Sequence, residues 1–136
     1  MGVAVDTERG LMVPTVFHAD TKSLNELSAE VVRLSDMCRK GTVNPDYLQG
    51  GTFTVTNLGT LGIESFTPVL NPPQTGILGV CTITRKVKER GGENIYYPAL
   101  GLSLTFDHRA IDGAPAARFL KDLVTALESF PLLLAE

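Results

Sequence analysis

The sequence predicts an α+β fold, with two amphipathic helices among roughly six strands. Three observations carry this. Apolar residues recur at steps of three and four in two stretches, near positions 24–38 and 119–130. Short apolar or alternating runs fill most of the rest, broken by Gly, Pro and Asn. The strands outnumber the helices and do not alternate strictly with them, which argues against a doubly wound α/β sheet.

The elements follow in order. Val3–Asp6 and Met12–Phe17 read as strands joined by the turn Thr7-Glu8-Arg9-Gly10. Ser23-Leu24-Asn25-Glu26 is a capping box that opens a helix. Leu24, Leu27, Val31, Leu34 and Cys38 form its apolar stripe, Arg39 and Lys40 suit its negative end, and Gly41 stops it. After Gln49-Gly50-Gly51 the chain alternates: Phe53 and Val55 face one way, Thr52, Thr54 and Thr56 the other. Asn57–Gly62 turns, and Asn71-Pro72-Pro73 breaks the chain because proline donates no backbone bond. Ile77–Ile83 reads as a strand. The charged run Arg85–Arg90 leads through Gly91-Gly92-Glu93-Asn94, a hairpin tip, into Ile95–Tyr97 and Leu100–Phe106; the run reads as a solvated hairpin, with anion binding as the alternative. Pro98 predicts a bulge or an edge position in that second arm. The last helix opens near Asp112-Gly113-Ala114-Pro115, with proline in its first turn. Phe119, Leu120, Leu123, Leu127 and Phe130 mark its apolar face, and Pro131 is expected to end it.

Composition narrows the function classes. The chain has 136 residues, 43% apolar and 20% charged, which argues against disorder. Its formal net charge of −3 gives no global attraction for nucleic acid or an anionic membrane surface. No apolar run approaches the roughly 20 residues of a membrane helix. The first residues carry no basic charge ahead of their apolar part, so no secretory signal is expected. Two cysteines make no disulfide framework, and a reducing compartment is expected. Cys38, Cys81, His18 and His108 fit no metal-ligand spacing, so no metal is expected.

Among catalytic signatures there is no Walker loop, no H-E-x-x-H and no nucleophile elbow; Gly59-Thr60-Leu61-Gly62 reads as a plain turn. The segment Phe106-Asp107-His108-Arg109-Ala110-Ile111-Asp112-Gly113 remains. His108 closes a strand just ahead of a helix, with carboxylates and an arginine close by, and a histidine there can serve as a base near neutral pH. From the residues alone a second reading stands beside this one. Asp112 caps the final helix, Arg109 pairs with a carboxylate and His108 is a surface residue. The threonine face likewise reads either as a solvent face or as hydroxyls directed into a polar channel.

Asp107–Gly113 resembles the D-H-R-x-x-D-G signature of the 2-oxoacid dehydrogenase acyltransferases, the dihydrolipoamide acyltransferase (E2) components. Val5–Pro14, Gly50–Gly59 (Gly-Gly-Thr-Phe-Thr-Val-Thr-Asn-Leu-Gly), Phe66–Gln74 and Ile77–Val80 are similar to further segments of that family, in the same order. The resemblance implies a chloramphenicol-acetyltransferase-like α+β fold, a mixed sheet with flanking helices. It implies trimers with active-site channels between subunits, assembling further into cubic or dodecahedral cores. It also implies transfer of an acyl group between a dihydrolipoyl thiol and coenzyme A, which is a substrate rather than a resident cofactor. On this basis His108 is the general base and Thr56 the oxyanion donor, supplied by neighbouring subunits. Asp112 holds local geometry through an ion pair, and Arg109 and Asn57 are structural residues beside the site.

The resemblance covers the later part of the family's catalytic domain, so residues 1–136 are expected to be that part, truncated at its N-terminal side. No segment resembles a lipoyl domain or a peripheral-subunit-binding domain, so the lipoyl group is expected on a domain outside this chain. The expected partners are further copies of the chain and other 2-oxoacid dehydrogenase subunits, with no nucleic acid and no membrane. The expected compartment is the cytoplasm or, alternatively, the mitochondrial matrix. A non-catalytic oligomerising scaffold of the same fold is the alternative function.

Overall fold

The computed structural model describes residues 1–133, without the side chains of Leu132 and Leu133. The chain divides into two compact units, Met1–Thr105 and a second that begins at Phe106. Each is described by itself.

The first unit is built on a four-stranded mixed sheet in the order β1-β4-β5-β6. Its strands are β1 (Gly2–Val3), β4 (Thr54–Asn57), β5 (Gly76–Arg90) and β6 (Glu93–Phe106), the last residue of β6 lying in the second unit. The central strand β4 runs parallel to both neighbours, with Gly2 opposite Thr54 on one side and Thr56 opposite Gly79 on the other. Hydrogen-bonded β5 and β6 are joined by Gly91-Gly92, whose φ angles of 63° and 85° supply the two left-handed residues of a tight hairpin turn. The edge position read from Pro98 holds, because β6 is an outer strand. Residues 76–79 and Cys81 of β5 are buried, whereas Arg85–Arg90 are exposed.

A separate two-stranded hairpin pairs β2 (Val5–Thr7) with β3 (Gly10–Met12). The Thr7 hydroxyl closes its turn, donating to the Gly10 carbonyl at 2.6 Å and accepting from the Arg9 N–H at 3.2 Å. Two expectations need correction here. The stretch Val3–Asp6 is not one strand, because the chain leaves the sheet at Ala4 and pairs anew in β2. The strand expected over Met12–Phe17 stops at Met12, since Pro14 cannot donate to a ladder. Beyond it a single bridge joins Thr15 to Gly2, and Val16 is fully buried.

Helix α1 (Leu24–Lys40) forms as its caps dictate. The Ser23 N–H donates to Glu26 Oε2 at 2.8 Å, and the Glu26 N–H donates back to Ser23 Oγ at 3.3 Å. At the other end Gly41 takes φ 69°, and its N–H reaches the Cys38 and Met37 carbonyls. Leu34 and Cys38 are buried at 1% exposure, while Leu24 at the start of the stripe is 54% exposed.

In the second unit, α2 spans Gly113–Glu128 and a four-residue α3 spans Phe130–Leu133. Pro131 does not end α2. The helix stops at Glu128, where the Ser129 N–H caps the Thr125 and Ala126 carbonyls, and Pro131 is the second residue of α3. An amide at that position would have no helical acceptor, so proline is tolerated there. Phe130 therefore belongs to α3 rather than to the α2 face.

Candidate active site

Thr56 lies on β4, the strand flanked on both edges. It is half-buried, and its hydroxyl has no hydrogen-bond partner among the described residues. Thr56 lines a cavity of about 340 Å³, together with Thr54 and apolar side chains that include Phe66, Val69 and Ile77. A hydroxyl without a protein partner on a largely apolar wall can donate to an acceptor placed in the cavity. The next residue, Asn57, turns the chain away: its Oδ1 accepts the Gly59 N–H at 2.8 Å, and a single helical turn, Gly59–Leu61, follows. Asn57 thus shapes the backbone directly behind Thr56.

The threonine face is not a plain solvent face. Thr54 is 0% exposed and donates to Gln74 Oε1 at 2.6 Å. The strand also begins two residues later than the alternation predicts, at Thr54, and only Thr52 of the three threonines is exposed.

His108, Arg109 and Asp112 lie in the second unit, on the turn that enters α2. Asp107 organises this turn. Its carboxylate accepts the Arg109 N–H at 2.9 Å and the Arg109 guanidinium at 3.0 and 2.6 Å, while its carbonyl accepts the Ala110 and Ile111 N–H groups. The guanidinium and the amide N–H hold the Asp107 carboxyl down at about 2, from an ordinary value of 3.8. Arg109 therefore pairs with Asp107 and not with Asp112.

Asp112 occupies the N-cap position of α2, yet its side chain makes no capping bond. Instead its Oδ1 lies 3.6 Å from His108 Nδ1, an electrostatic contact longer than a hydrogen bond. Both side chains are largely exposed, at 73% and 83%. The His108 ring also lies 5.8 Å from that of Phe106. With Nδ1 turned to the carboxylate, Nε2 is the ring nitrogen left for another partner. The structure thus brings His108 and Asp112 together, places Arg109 beside Asp107, and sets Thr56 and Asn57 in the other unit.

The pairing of Arg109 with a carboxylate is as expected, and Asp107 is the partner; the partner of Thr54, Gln74, was not expected. Gln74 had a signal, being a polar residue that ends a Pro-Pro turn immediately before a buried strand. Both cysteines are buried; burial pushes the Cys38 thiol up, which suits a core residue.

The family described as 2-oxoacid dehydrogenases acyltransferase (catalytic domain) matches residues 1–135. The chain is 49% identical over 128 residues to the dihydrolipoyllysine-residue acetyltransferase component of the acetoin cleaving system of Bacillus subtilis, covering 94% of this chain and 32% of that protein. It thus spans about a third of that relative's length. One similar solved structure is Azotobacter vinelandii dihydrolipoamide acetyltransferase, studied for the roles of a serine, a histidine and an asparagine in its catalytic mechanism. Identity is 41% and the TM-score 0.93, over 98% of this chain and 55% of that one. The cubic core of the pyruvate dehydrogenase multienzyme complex matches with the same values.

Proposed function

The chain belongs to the 2-oxoacid dehydrogenase acyltransferase family, and from that premise we propose that it moves an acyl group between dihydrolipoamide and coenzyme A. The observation that carries the assignment of residues is a pair of intervals. In the Azotobacter enzyme the serine and histidine are 52 positions apart and the asparagine follows four later. Thr56, His108 and Asp112 keep both intervals, with a threonine for the serine and an aspartate for the asparagine.

The chemistry follows from the groups. A thiol of pKa about 8.5 is mostly protonated at neutral pH, so its attack gains from a base. His108 Nε2 takes the thiol proton as the sulfur adds to the thioester carbonyl. The carbonyl oxygen becomes an oxyanion and accepts a hydrogen bond from Thr56, a contact worth about 2.7–4 kcal/mol in the transition state. The tetrahedral adduct collapses, the carbon–sulfur bond to the departing thiol breaks, and that sulfur recovers the proton from His108. The same steps reversed carry the acyl group the other way. Asp112 orients the imidazole and balances its charge while it holds the proton, and the Arg109–Asp107 pair keeps the turn in shape.

The fold in this reading is chloramphenicol-acetyltransferase-like, and the working unit is a trimer in which His108 and Thr56 come from neighbouring copies. Its similarity to the cubic core of a pyruvate dehydrogenase complex supports assembly with further copies and with the other subunits of such a complex. The lipoyl group arrives on a separate domain. His108→Ala in the assembled protein should abolish acetyl transfer from acetyl-coenzyme A to dihydrolipoamide while leaving the circular-dichroism spectrum unchanged. Near-normal turnover would overturn the assignment.

A further inference from the structure

Gln74 stands outside every role given above. It ends a turn in which its N–H donates to the Asn71 carbonyl at 3.0 Å. Its side chain crosses to β4, where Oε1 takes the hydrogen bond from the fully buried Thr54 hydroxyl, 20 residues away in sequence. Two glycines clear the space for this contact. A methyl group on Gly51 would lie 2.7 Å from Gln74 Nε2, and one on Gly2 would meet the Thr54 hydroxyl. Neither glycine has a positive φ, so close approach is what they provide, not an unusual backbone.

The location gives this tie its consequence. Thr54 and Thr56 are two apart on one strand, so they share a face. Residues 68–71, just ahead of Gln74, form a wall of the cavity that Thr56 lines. One amide therefore joins that wall to the strand bearing Thr56. Removing its acceptor leaves a buried donor unpaired, a penalty the structure relieves by shifting the wall or the strand.

We propose that Gln74 is a positioning residue for acyl transfer, which through Thr54 sets the gap between Thr56 and the wall formed by residues 68–71. This rests on the reading of Thr56 as the oxyanion donor.

The test uses the assembled protein and four variants. Gln74→Met removes the amide at similar length, and Gly51→Ala keeps the amide but pushes it off Thr54. Thr54→Val removes the hydroxyl, and Thr54→Ser restores it. A displacement of 1 Å costs about 10²-fold in rate, so a fraction of that shift should lower kcat about tenfold. Gln74→Met and Gly51→Ala should each show that loss with little change in the KM for coenzyme A. Backbone hydrogen exchange at Thr56 and Asn57 should quicken about tenfold while α1 is unchanged. Thr54→Ser should keep near-normal kcat, and Gln74→Met should add nothing to Thr54→Val. Leu34→Ala is the control for a general loss of stability, lowering Tm without altering kcat. Unchanged exchange in β4, unchanged kcat in Gln74→Met, or additive losses would each overturn the proposal. Thr56→Val, run alongside, separates the two ideas. Full turnover there defeats the oxyanion reading, whereas a normal loss there with unchanged Gln74→Met turnover defeats the positioning role alone.

Discussion

At the scale of single residues, the turn ahead of α2 is held by charge and the site on β4 by a hydroxyl. The folded Asp107 carboxyl titrates at about 2 against an ordinary 3.8. Its pKa is depressed on folding, so the contribution of the Arg109 contact is complete above roughly pH 4 and is lost as pH falls through about 2. Arg109 is 91% exposed, and screening by water keeps the effect on stability small. A carbon-13 titration of Asp107 should show a midpoint near 2, and Arg109→Ala should return it to the ordinary range; an unmoved midpoint would contradict this pairing. In the proposed mechanism the Thr56 hydroxyl acts and its methyl does not. Thr56→Ser should retain most activity, and Thr56→Val should lose about 10²-fold in kcat with little change in KM. Equal activity in the two variants would reduce Thr56 to a strand residue.

At the scale of elements, α1 and the turn after β4 respond to different forces. The cap of α1 is local. Ser23→Ala removes one half of the reciprocal pair and should cost about 1 kcal/mol in denaturant unfolding. The Glu26 carboxyl, held below its usual range by the Ser23 hydroxyl, should rise in the same variant. The turn Gly59–Leu61 is set by contact with β5. A methyl group on Gly59 would strike the backbone carbonyl of Cys81, which cannot rotate aside. Gly59→Ala should therefore cost about 1–3 kcal/mol and disturb Asn57, hence activity as well as stability. A fully stable, fully active Gly59→Ala protein would show that this turn has more room than the packing allows.

At the scale of the whole molecule, the proposal requires more than one copy. Leu11, Leu61, Val69 and Tyr96 are each 70% exposed or more, and α2 carries Val124 and Leu127 at 36% and 47%. Covering such area is favourable at about 25 cal/mol per Å², and a net charge of −3 opposes it little. Light scattering should therefore find trimers or multiples of three, and a monomer at high concentration would contradict this. A site shared between copies makes a sharper forecast. His108→Ala and Thr56→Val proteins, each inactive alone, should regain activity when mixed, to roughly a quarter of wild type for random trimers. Absence of complementation would place both groups in one chain.

Much of this was legible from order along the chain. The capping box, the Gly41 stop and the Gly91-Gly92 hairpin depend on nearest neighbours, and the sequence by itself determined them, whereas Pro98 predicted a bulge or an edge and the sheet order decided for the edge. The sequence also carried the Asp107–Gly113 and Thr56-Asn57 segments by which the chain resembles its family. The tertiary structure alone decided where Val3–Asp6 splits between two partners, since strand pairing reaches across fifty residues. It alone joined His108 to Asp112 in place of a helix cap, because that choice turns on side-chain direction rather than spacing. And only the fold buried Thr54 against Gln74. Alternation shows which residues share a face, but whether that face meets water or a distant amide depends on what packs there.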